Sequence, residues 1–182
     1  MEAPEILTER LRLSPLVASD APAMYAYRSH PDVRRYQSFD PGSLGDVEAF
    51  IAGLQSVAFD TAGTWFQFAI RLEESGQLIG DVGTHFIAGD PRQVEIGITI
   101  SPAHQRLGYG TEAISGVLGH LLGPLQKHRV FASVNPGNEA IIALLKRAGM
   151  RQEAHFRESL WFRGEWTDDV VFAILASEWK RR

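Results

Sequence analysis

The chain has 182 residues, of which 45% are hydrophobic, and its formal net charge is -4 at pH 7. This length and apolar content are typical of one compact core, so we expect a single domain over residues 1–182. The net negative charge supplies no positive field for phosphate backbones and argues against a nucleic-acid partner. The sequence contains no cysteine, which excludes disulfides, thiolate metal sites and cysteine nucleophiles.

The N-terminal residues and the hydropathy pattern bear on location. Residues 1–5 carry acidic side chains where a secretory signal would carry positive charge. No uninterrupted apolar run approaches the about 20 residues that a membrane span requires. We therefore expect a cytoplasmic protein with no membrane partner.

The first third of the chain predicts one strand and two helices. Leucines that alternate with polar residues predict a strand over about residues 7–15. Ser19-Asp20 followed by Pro22 predicts a helix that runs to about residue 29. Another helix is expected to begin at Ser43, where Asp46 partly mimics a capping box.

Strand patterns dominate from residue 64 onward. Two strands, 65–72 and 78–86, separated by turn-forming residues, predict a hairpin, and a third strand is expected at 94–100. The later elements are expected in the order helix 110–122, strand 130–134, helix 138–148 with Gly149 as C-cap, strands 152–162 and 168–175, and a short tail 176–182. This order predicts an α/β or mixed α+β fold around a mixed sheet.

The segment between residues 98 and 113 carries the clearest functional signal, because it reads as a strand end, a glycine-containing loop and a helix start. Small residues let the backbone approach phosphate oxygens, while free N–H groups and the helix dipole point toward them. Arg106 can add a charge-assisted contact. The segment therefore predicts an anion site.

Spacing separates the alternatives for this loop. A P-loop requires lysine and then serine or threonine after its last glycine, whereas Gly110 is followed by Thr111-Glu112. Gly108, Gly110 and Ala113 match the dinucleotide fingerprint, but residues 101–107 separate them from the strand, and the next strand lacks the expected acidic residue. An ordinary glycine cap would explain Gly108 but not Gln105 and Arg106.

The run Gln105-Arg106-Leu107-Gly108-Tyr109-Gly110 resembles the Q/R-x-x-G-x-G/A motif that GNAT acetyltransferases place between their fourth strand and the following helix. The resemblance covers about residues 7–179 and is closest to the branch that contains ribosomal-protein N-acetyltransferases. Further similar segments are Thr8–Leu13, Leu78–Gly80, Glu95–Gly97, Asn135–Asn138, Lys146–Met150 and Asp168–Phe172. The resemblance implies a mixed sheet of about seven strands flanked by about four helices, whose central parallel strands, 94–100 and 130–134, splay apart to admit pantetheine.

The resemblance also implies an acyltransferase that moves an acetyl group from acetyl-coenzyme A to an amine. The cofactor-binding residues that it implies are Ile98 and Ile100 through their backbone, Asn135, and the loop residues Gln105, Arg106, Leu107, Gly108, Tyr109, Gly110 and Thr111. For Asn135 a helix cap is the alternative role.

Glu95 is the candidate general base, because it resembles the acidic residue that several GNAT enzymes use directly or through water. An ordinary solvent-facing strand position is the alternative. The sequence departs from the family pattern at the positions expected for the general acid. Leu145 stands where many relatives carry tyrosine, and Asn138 stands where the ribosomal-protein branch often carries serine. Asn138 can donate a hydrogen bond to a thiolate or a water, but the acid itself remains unassigned. Glu112 is interpreted as structural, since acid is favoured in the first turn of a helix.

The first-choice acceptor is the α-amine of a protein, because deprotonation near pH 7 costs about 1 kcal/mol for an α-amine and about 4.6 kcal/mol for lysine. A small or aminoglycoside-like amine, and a non-catalytic coenzyme A sensor, are the alternatives.

His85 either faces the acceptor or is structural, and Asp168 and Asp169 should face opposite sides of a strand. The six histidines lack paired-ligand spacing, so no metal is expected. Both a monomer and a homodimer remain open.

Overall fold

The computed structural model describes residues 3–180, so residues 1–2 and the end of the predicted tail, 181–182, lie outside it. Its eight strands form one mixed sheet in the order β1-β2-β3-β4-β5-β6-β8-β7. The strands are β1 (Ile6–Leu7), β2 (Leu11–Pro15), β3 (Trp65–Leu72), β4 (Leu78–Phe86), β5 (Gln93–Ile100), β6 (Arg129–Val134), β7 (Arg151–Phe162) and β8 (Glu165–Leu175). The helices are α1 (Ala21–Arg28), α2 (Pro31–Arg34), α3 (Leu44–Gln55), α4 (Tyr109–Leu122), α5 (Glu139–Arg147) and α6 (Ala176–Trp179).

The predicted mixed fold is confirmed, with small differences in the number of elements. The single strand expected over residues 7–15 is two strands, because Thr8 forms a turn: its N–H donates to the Leu11 carbonyl over 2.9 Å, which brings β1 back antiparallel to β2. The two helices beyond the expected four, α2 and α6, are one turn long. The Ser43–Asp46 capping box is complete, and Gly149 has φ 90° just after α5, as a left-handed helix stop requires.

Helices cover both faces of the sheet. Because side chains alternate between the two faces along each strand, one strand contributes to a core on each face. Phe66, Phe68 and Ile70 of β3 join the larger core, to which α4 contributes its fully buried Ile114 and Leu118. The intervening residue Ala69 belongs to a second core under α1 and α3, with Met24, Val47 and Ile51. The sheet therefore lies between a larger core on the α4 side and a smaller one on the α1–α3 side.

The parallel strands β5 and β6 diverge partway along their length. They pair at Gln93–Arg129, Val94–Val130 and Glu95–Phe131, and the pairing ends there although both strands continue. Each strand stays paired on its outer side, with β5 bound to β4 as far as Ile100 and β6 bound to β8 as far as Val134. The outer pairs hold the gap open, which confirms the predicted splay.

Glu112 ties the start of α4 to the turn between β1 and β2. Its carboxylate accepts hydrogen bonds from the Thr8 hydroxyl at 2.6 Å, the Arg10 backbone N–H at 2.8 Å and the Arg10 Nε at 2.7 Å. Arg10 also donates to the Leu107 carbonyl at 3.1 Å and lies 4.5 Å above the Tyr109 ring. Glu112 thus has a structural role, because it fixes the loop that leads into α4.

We expect Glu112→Gln to destabilise the fold by about 1.5–3 kcal/mol at about pH 7, the usual range for hydrogen bonds to a charged group. Burial raises the Glu112 pKa, but the hydrogen bonds from Thr8 and Arg10, together with the Arg10 charge, outweigh burial and lower the pKa overall. A lowered pKa contributes stability above the pH at which the unfolded carboxyl titrates, about 4.3, and this stability is lost as the pH falls through the folded value. The free-energy difference between wild type and variant should therefore shrink below about pH 4.

Urea unfolding over this pH range measures the difference. Glu48→Gln is the matched control, because Glu48 is exposed on α3 and should leave the unfolding free energy almost unchanged. Equal stability of Glu112→Gln and wild type at neutral pH would contradict the structural role.

Candidate functional site

A cavity of about 600 Å³ lies in the gap between β5 and β6. On the α1–α3 side it is lined by Trp65, Gln67, Gly83, Glu95 and Gly97. On the α4 side it is lined by Ile96, Ile98, Ile114, Ile141 and Leu145. Because residues of both faces contribute, the gap joins the two sides of the sheet.

The start of α4 approaches this gap closely. A Cβ atom at Gly110 would lie 2.6 Å from Leu144 Cδ1 and 3.6 Å from Ile100 Cγ1. A side chain at this position would therefore require the Leu144 side chain to shift, and glycine lets α4, α5 and β5 pack closely without that shift. The predicted loop residues 105–111 lie beside the cavity and are not among its lining residues within the described chain.

The loop before α4 leaves backbone donors available. Gly108 is the N-cap in the left-handed region, with φ 86°, and the first N–H to reach back to a carbonyl is that of Glu112, to Gly108, at 3.1 Å. The N–H groups of the first turn have no intrahelical acceptor. The exposed side chain of Arg106 makes no hydrogen bond or ion pair to other described residues. This arrangement fits a pyrophosphate group, which needs N–H donors, the positive end of a helix dipole and a free cation.

Gln105 has an internal contact rather than a free side chain. Its Nε2 donates to the Ile100 carbonyl over 3.0 Å. This bond fastens the loop to the end of β5. The side chains of Ile98 and Ile100 pack toward Gly110 and the larger core, so a ligand in the gap would meet mainly their backbone.

Asn135 and Asn138 both line the cavity, but they make different local contacts. Asn138 Oδ1 accepts a hydrogen bond from the Ile141 N–H at 3.3 Å and caps α5. Asn135 Oδ1 accepts from the Gly137 N–H at 2.8 Å, in the turn before α5. The helix cap considered for Asn135 therefore belongs to Asn138. In both residues the oxygen is engaged, which leaves the amide NH₂ as the group available to a ligand.

Glu95 occupies the last paired position before the strands diverge, and its side chain is 28% exposed. His85 lies directly opposite it on β4. The His85 Nδ1 atom lies 3.6 Å from Glu95 Oε2, and the His85 ring stacks on Trp65 with 4.8 Å between ring centroids. Glu95 therefore faces the cavity with one titratable neighbour.

The cavity has a buried charged floor that the sequence did not predict. The fully buried Asp81 carboxylate accepts hydrogen bonds from the Tyr27 hydroxyl at 2.6 Å, Gln67 Nε2 at 2.6 Å and Arg28 Nη2 at 2.5 Å. Burial and the Asp81 charge raise the Tyr27 pKa well above its ordinary value, which keeps the hydroxyl protonated. Arg28 and Gln67 also line the cavity. An aspartate inside a strand of glycine and apolar residues was the available signal, because such a group must find partners when buried.

Contacts between distant parts of the chain border the cavity. The Tyr36 hydroxyl donates to the Gly137 carbonyl over 3.0 Å, and Arg163 binds Asp40 at 2.8 Å. Trp161 also lines the cavity. Asp169 lines it and accepts from Ser133 Oγ at 2.7 Å, while Asp168 pairs with His155, so adjacent aspartates face opposite sides as expected.

Two further properties concern metals and membranes. Among residues 3–180, no three His, Asp or Glu side chains lie together where they would ligate a metal ion. No helix in the same range combines the length and apolar character that crossing a bilayer requires.

Comparison with known proteins places these features in a family. The profile of the acetyltransferase (GNAT) domain matches residues 10–151. The uncharacterized N-acetyltransferase YoaA of Bacillus subtilis is 31% identical over 173 residues, covering 94% of this chain and 97% of that protein. A crystal structure of a GNAT-family acetyltransferase from Bacillus anthracis has a TM-score of 0.87 at 26% identity and covers 96% of this chain and 100% of that chain.

Proteins with named acceptors are more distant. The [ribosomal protein uS5]-alanine N-acetyltransferase of Escherichia coli is 25% identical over 122 residues, covering 66% of this chain and 63% of that enzyme. Spermidine N-acetyltransferase from Vibrio cholerae, solved with CoA and spermine, has a TM-score of 0.81 at 22% identity, covers 95% of this chain and 99% of that chain, and shares its fold. The domain match and the full-length relative together show that the chain belongs to the GNAT family, the acyltransferases that use acetyl-coenzyme A.

Proposed function

We propose that this chain, as one domain, acetylates the α-amine of a protein N-terminus. The observation that carries the proposal is the position of Glu95, a cavity-facing carboxylate where β5 and β6 separate. An α-amine suits such a base, because its deprotonation near pH 7 costs only about 1 kcal/mol. The cavity is also bordered by the exposed Leu160 and Trp161, which supports a polypeptide acceptor that continues outside it.

The charges of the cavity support the choice of one amine over a polycation. Its acidic lining residues within the described chain are Glu95 and Asp169, and the buried cation Arg28 lines it as well. A polyamine would bring several positive charges to a site with few carboxylates. Asp169 nevertheless favours a small cationic amine as the second candidate, because its carboxylate faces the cavity with Ser133 as partner.

The cofactor side is proposed to use the loop and the gap. Residues 105–111 hold the pyrophosphate, with backbone N–H groups of the first α4 turn and the Arg106 side chain as donors. The backbone of Ile98 and Ile100 and the Asn135 amide line the path of the pantetheine arm. Acetyl-coenzyme A supplies the reactive acetyl thioester.

The proposed chemical roles follow from the proton or hydrogen bond that each side chain can accept or donate. Glu95 accepts the proton of the acceptor ammonium, directly or through water. Asn138 donates from its amide NH₂ toward the leaving sulfur, since its oxygen is occupied by the helix cap. Leu145 is 1% exposed and belongs to the core, so no acid occupies that position. A thiol with a reference pKa of about 8.5 is a fair leaving group without one.

We expect Arg106→Gln to weaken acetyl-coenzyme A binding about 10-fold, because it removes a charge-assisted contact to the pyrophosphate. Added salt should narrow the difference from wild type, since exposed charges are screened. Calorimetric titration of each variant gives the affinities. Arg92→Gln is the control that removes the same charge from an exposed ion pair with Asp90, just before β5 and at the opposite end of that strand from the loop. An equal loss of acetyl-coenzyme A affinity in both variants would show that the net charge of the protein, not the loop, causes the loss.

Glu95→Gln should lower kcat by about 10²–10⁴-fold with little change in acetyl-coenzyme A affinity, because the substitution keeps the shape and removes the proton acceptor. The deficit should shrink as the pH rises, since more of the amine is then neutral. It should also be larger for a lysine side chain than for an α-amine. A pH-rate profile measures both trends. Near-normal kcat at about pH 7, with chemistry rate-limiting, would move proton removal to another group.

Mass spectrometry of products from a mixed panel identifies the acceptor class. The panel contains peptides with free N-termini, the same peptides with blocked N-termini, spermine and an aminoglycoside. Acetyl on the α-amine alone is the expected product. Transfer to spermine or the aminoglycoside would favour the small-amine alternative, and cofactor binding without any transfer would favour a coenzyme A sensor.

A further inference from the structure

Three side chains stand in a row across the sheet at the edge of the cavity. Trp65 of β3 lies opposite His85 of β4, and His85 lies opposite Glu95 of β5. Residues directly opposite on antiparallel strands have Cβ atoms about 4.5–5.5 Å apart and point to the same face. His85 therefore lies between an aromatic wall of the cavity and the proposed base.

The two ring nitrogens of His85 have different surroundings. Nδ1 is buried, has no hydrogen-bond partner among the described residues, and lies 3.6 Å from Glu95 Oε2. The side chain as a whole is 26% exposed, so its exposure comes from the remainder of the ring, which includes the Nε2 edge. Stacking on Trp65, with only 10° between the ring planes, limits how the ring can turn.

An unpaired buried nitrogen costs free energy unless it gains a partner. The Glu95 carboxylate is the nearest candidate, and a small side-chain rotation would shorten 3.6 Å to hydrogen-bond distance. Water does not fit between atoms this close. The geometry therefore joins Nδ1 to Glu95 and leaves Nε2 toward solvent.

Other charged groups near this row are already paired. Arg129 lies over the Phe131 ring and forms an ion pair with Glu153 at 2.6 Å. Across the cavity, Asp169 binds Ser133, and on β4 the Asp81 carboxylate is neutralised by Arg28. Within residues 3–180, His85 is the one basic side chain within 4 Å of the Glu95 carboxylate.

We propose that His85 positions Glu95 and carries its proton to solvent, an inference that rests on the proposed role of Glu95 as base. Glu95 first takes a proton from the acceptor ammonium and leaves a neutral amine. The carboxyl O–H bond then breaks as the Nδ1–H bond forms, and the imidazolium releases its Nε2 proton to water. This direction is favourable because imidazole binds a proton more tightly than carboxylate does. The Glu95 carboxylate is restored, and the neutral ring, now protonated on Nδ1, exchanges protons with water to regain the Nε2-protonated form that accepts the next proton.

The relay also accounts for the stacking of His85 on Trp65. A half-buried carboxylate that has taken a proton must return it before the next turnover. A ring with one nitrogen toward the carboxylate and the other toward water provides that route only if its orientation is fixed. Trp65 fixes the orientation from the side opposite Glu95.

Two variants separate the parts of the proposal. His85→Phe keeps an aromatic ring against Trp65 but has no nitrogen. His85→Asn keeps a hydrogen-bonding group near the Nδ1 position but cannot accept and release a proton near neutral pH. We expect kcat to fall about 10–100-fold in His85→Phe and less in His85→Asn, below the loss expected for the base itself, with unchanged acetyl-coenzyme A affinity. The acidic limb of the kcat/KM profile should also change in both variants.

A double-mutant cycle gives the decisive readout. If His85 acts through Glu95, His85→Phe should have almost no further effect in the Glu95→Gln background. Multiplicative losses, or normal kcat and an unchanged pH profile in both single variants, would overturn the relay. His128→Phe is the control, because His128 is exposed in the loop before β6. Failure of the proposed function gives different results. Wild type would then transfer no acetyl group, or Glu95→Gln would keep full activity, and the second result would overturn the relay as well.

Discussion

The divergence of β5 and β6 beyond Glu95 and Phe131 is the constraint on which the rest of the structure depends. A sheet normally satisfies its backbone donors and acceptors by pairing, so an opening leaves unpaired edges that are costly without a ligand or water. Here β4 and β8 hold the two strands on their outer sides, which keeps the gap from closing. The fold thus accepts an unfavourable local arrangement where a ligand can enter, as functional sites often do.

The gap also separates two electrostatic environments. On one side the first turn of α4 presents N–H groups and a positive dipole end, with Arg106 free beside it, which suits an anion. On the other side Glu95 and Asp169 face the cavity, which suits a cationic amine. The Arg28–Asp81 pair contributes little net field because its charges cancel, although it rigidifies the floor. These two environments support the proposed reaction, in which an anionic cofactor and a cationic amine meet in the gap.

Local sequence signals predicted what local physics determines. The bounds of β3 and β4 and the capping box at Ser43 follow from alternation and from a side chain that satisfies a nearby N–H. The break at Thr8 was missed, because the turn depends on a hydrogen bond from Thr8 to Leu11 and on bonds from Thr8 and Arg10 to Glu112, a partner that lies far along the chain. The contacts of Arg28 with Asp81 and of His85 with Glu95 join different elements, so they depend on strand register and helix placement, which spacing along the chain does not determine. The roles assigned to Glu95, Asn138 and the loop remain predictions.

The two halves of the site differ in how they are encoded, and this bears on specificity. The proposed pyrophosphate loop is one continuous segment, from the end of β5 to the start of α4, so a short motif is sufficient to recognise it. The proposed acceptor side is bordered by contacts between distant segments, such as Tyr36 with Gly137 and Arg163 with Asp40. Substitutions in any of these segments alter the shape or charge of the acceptor side without touching the cofactor loop. A shared fold with different acceptors is the expected consequence, because the acceptor of each chain depends on the side chains that line its own cavity.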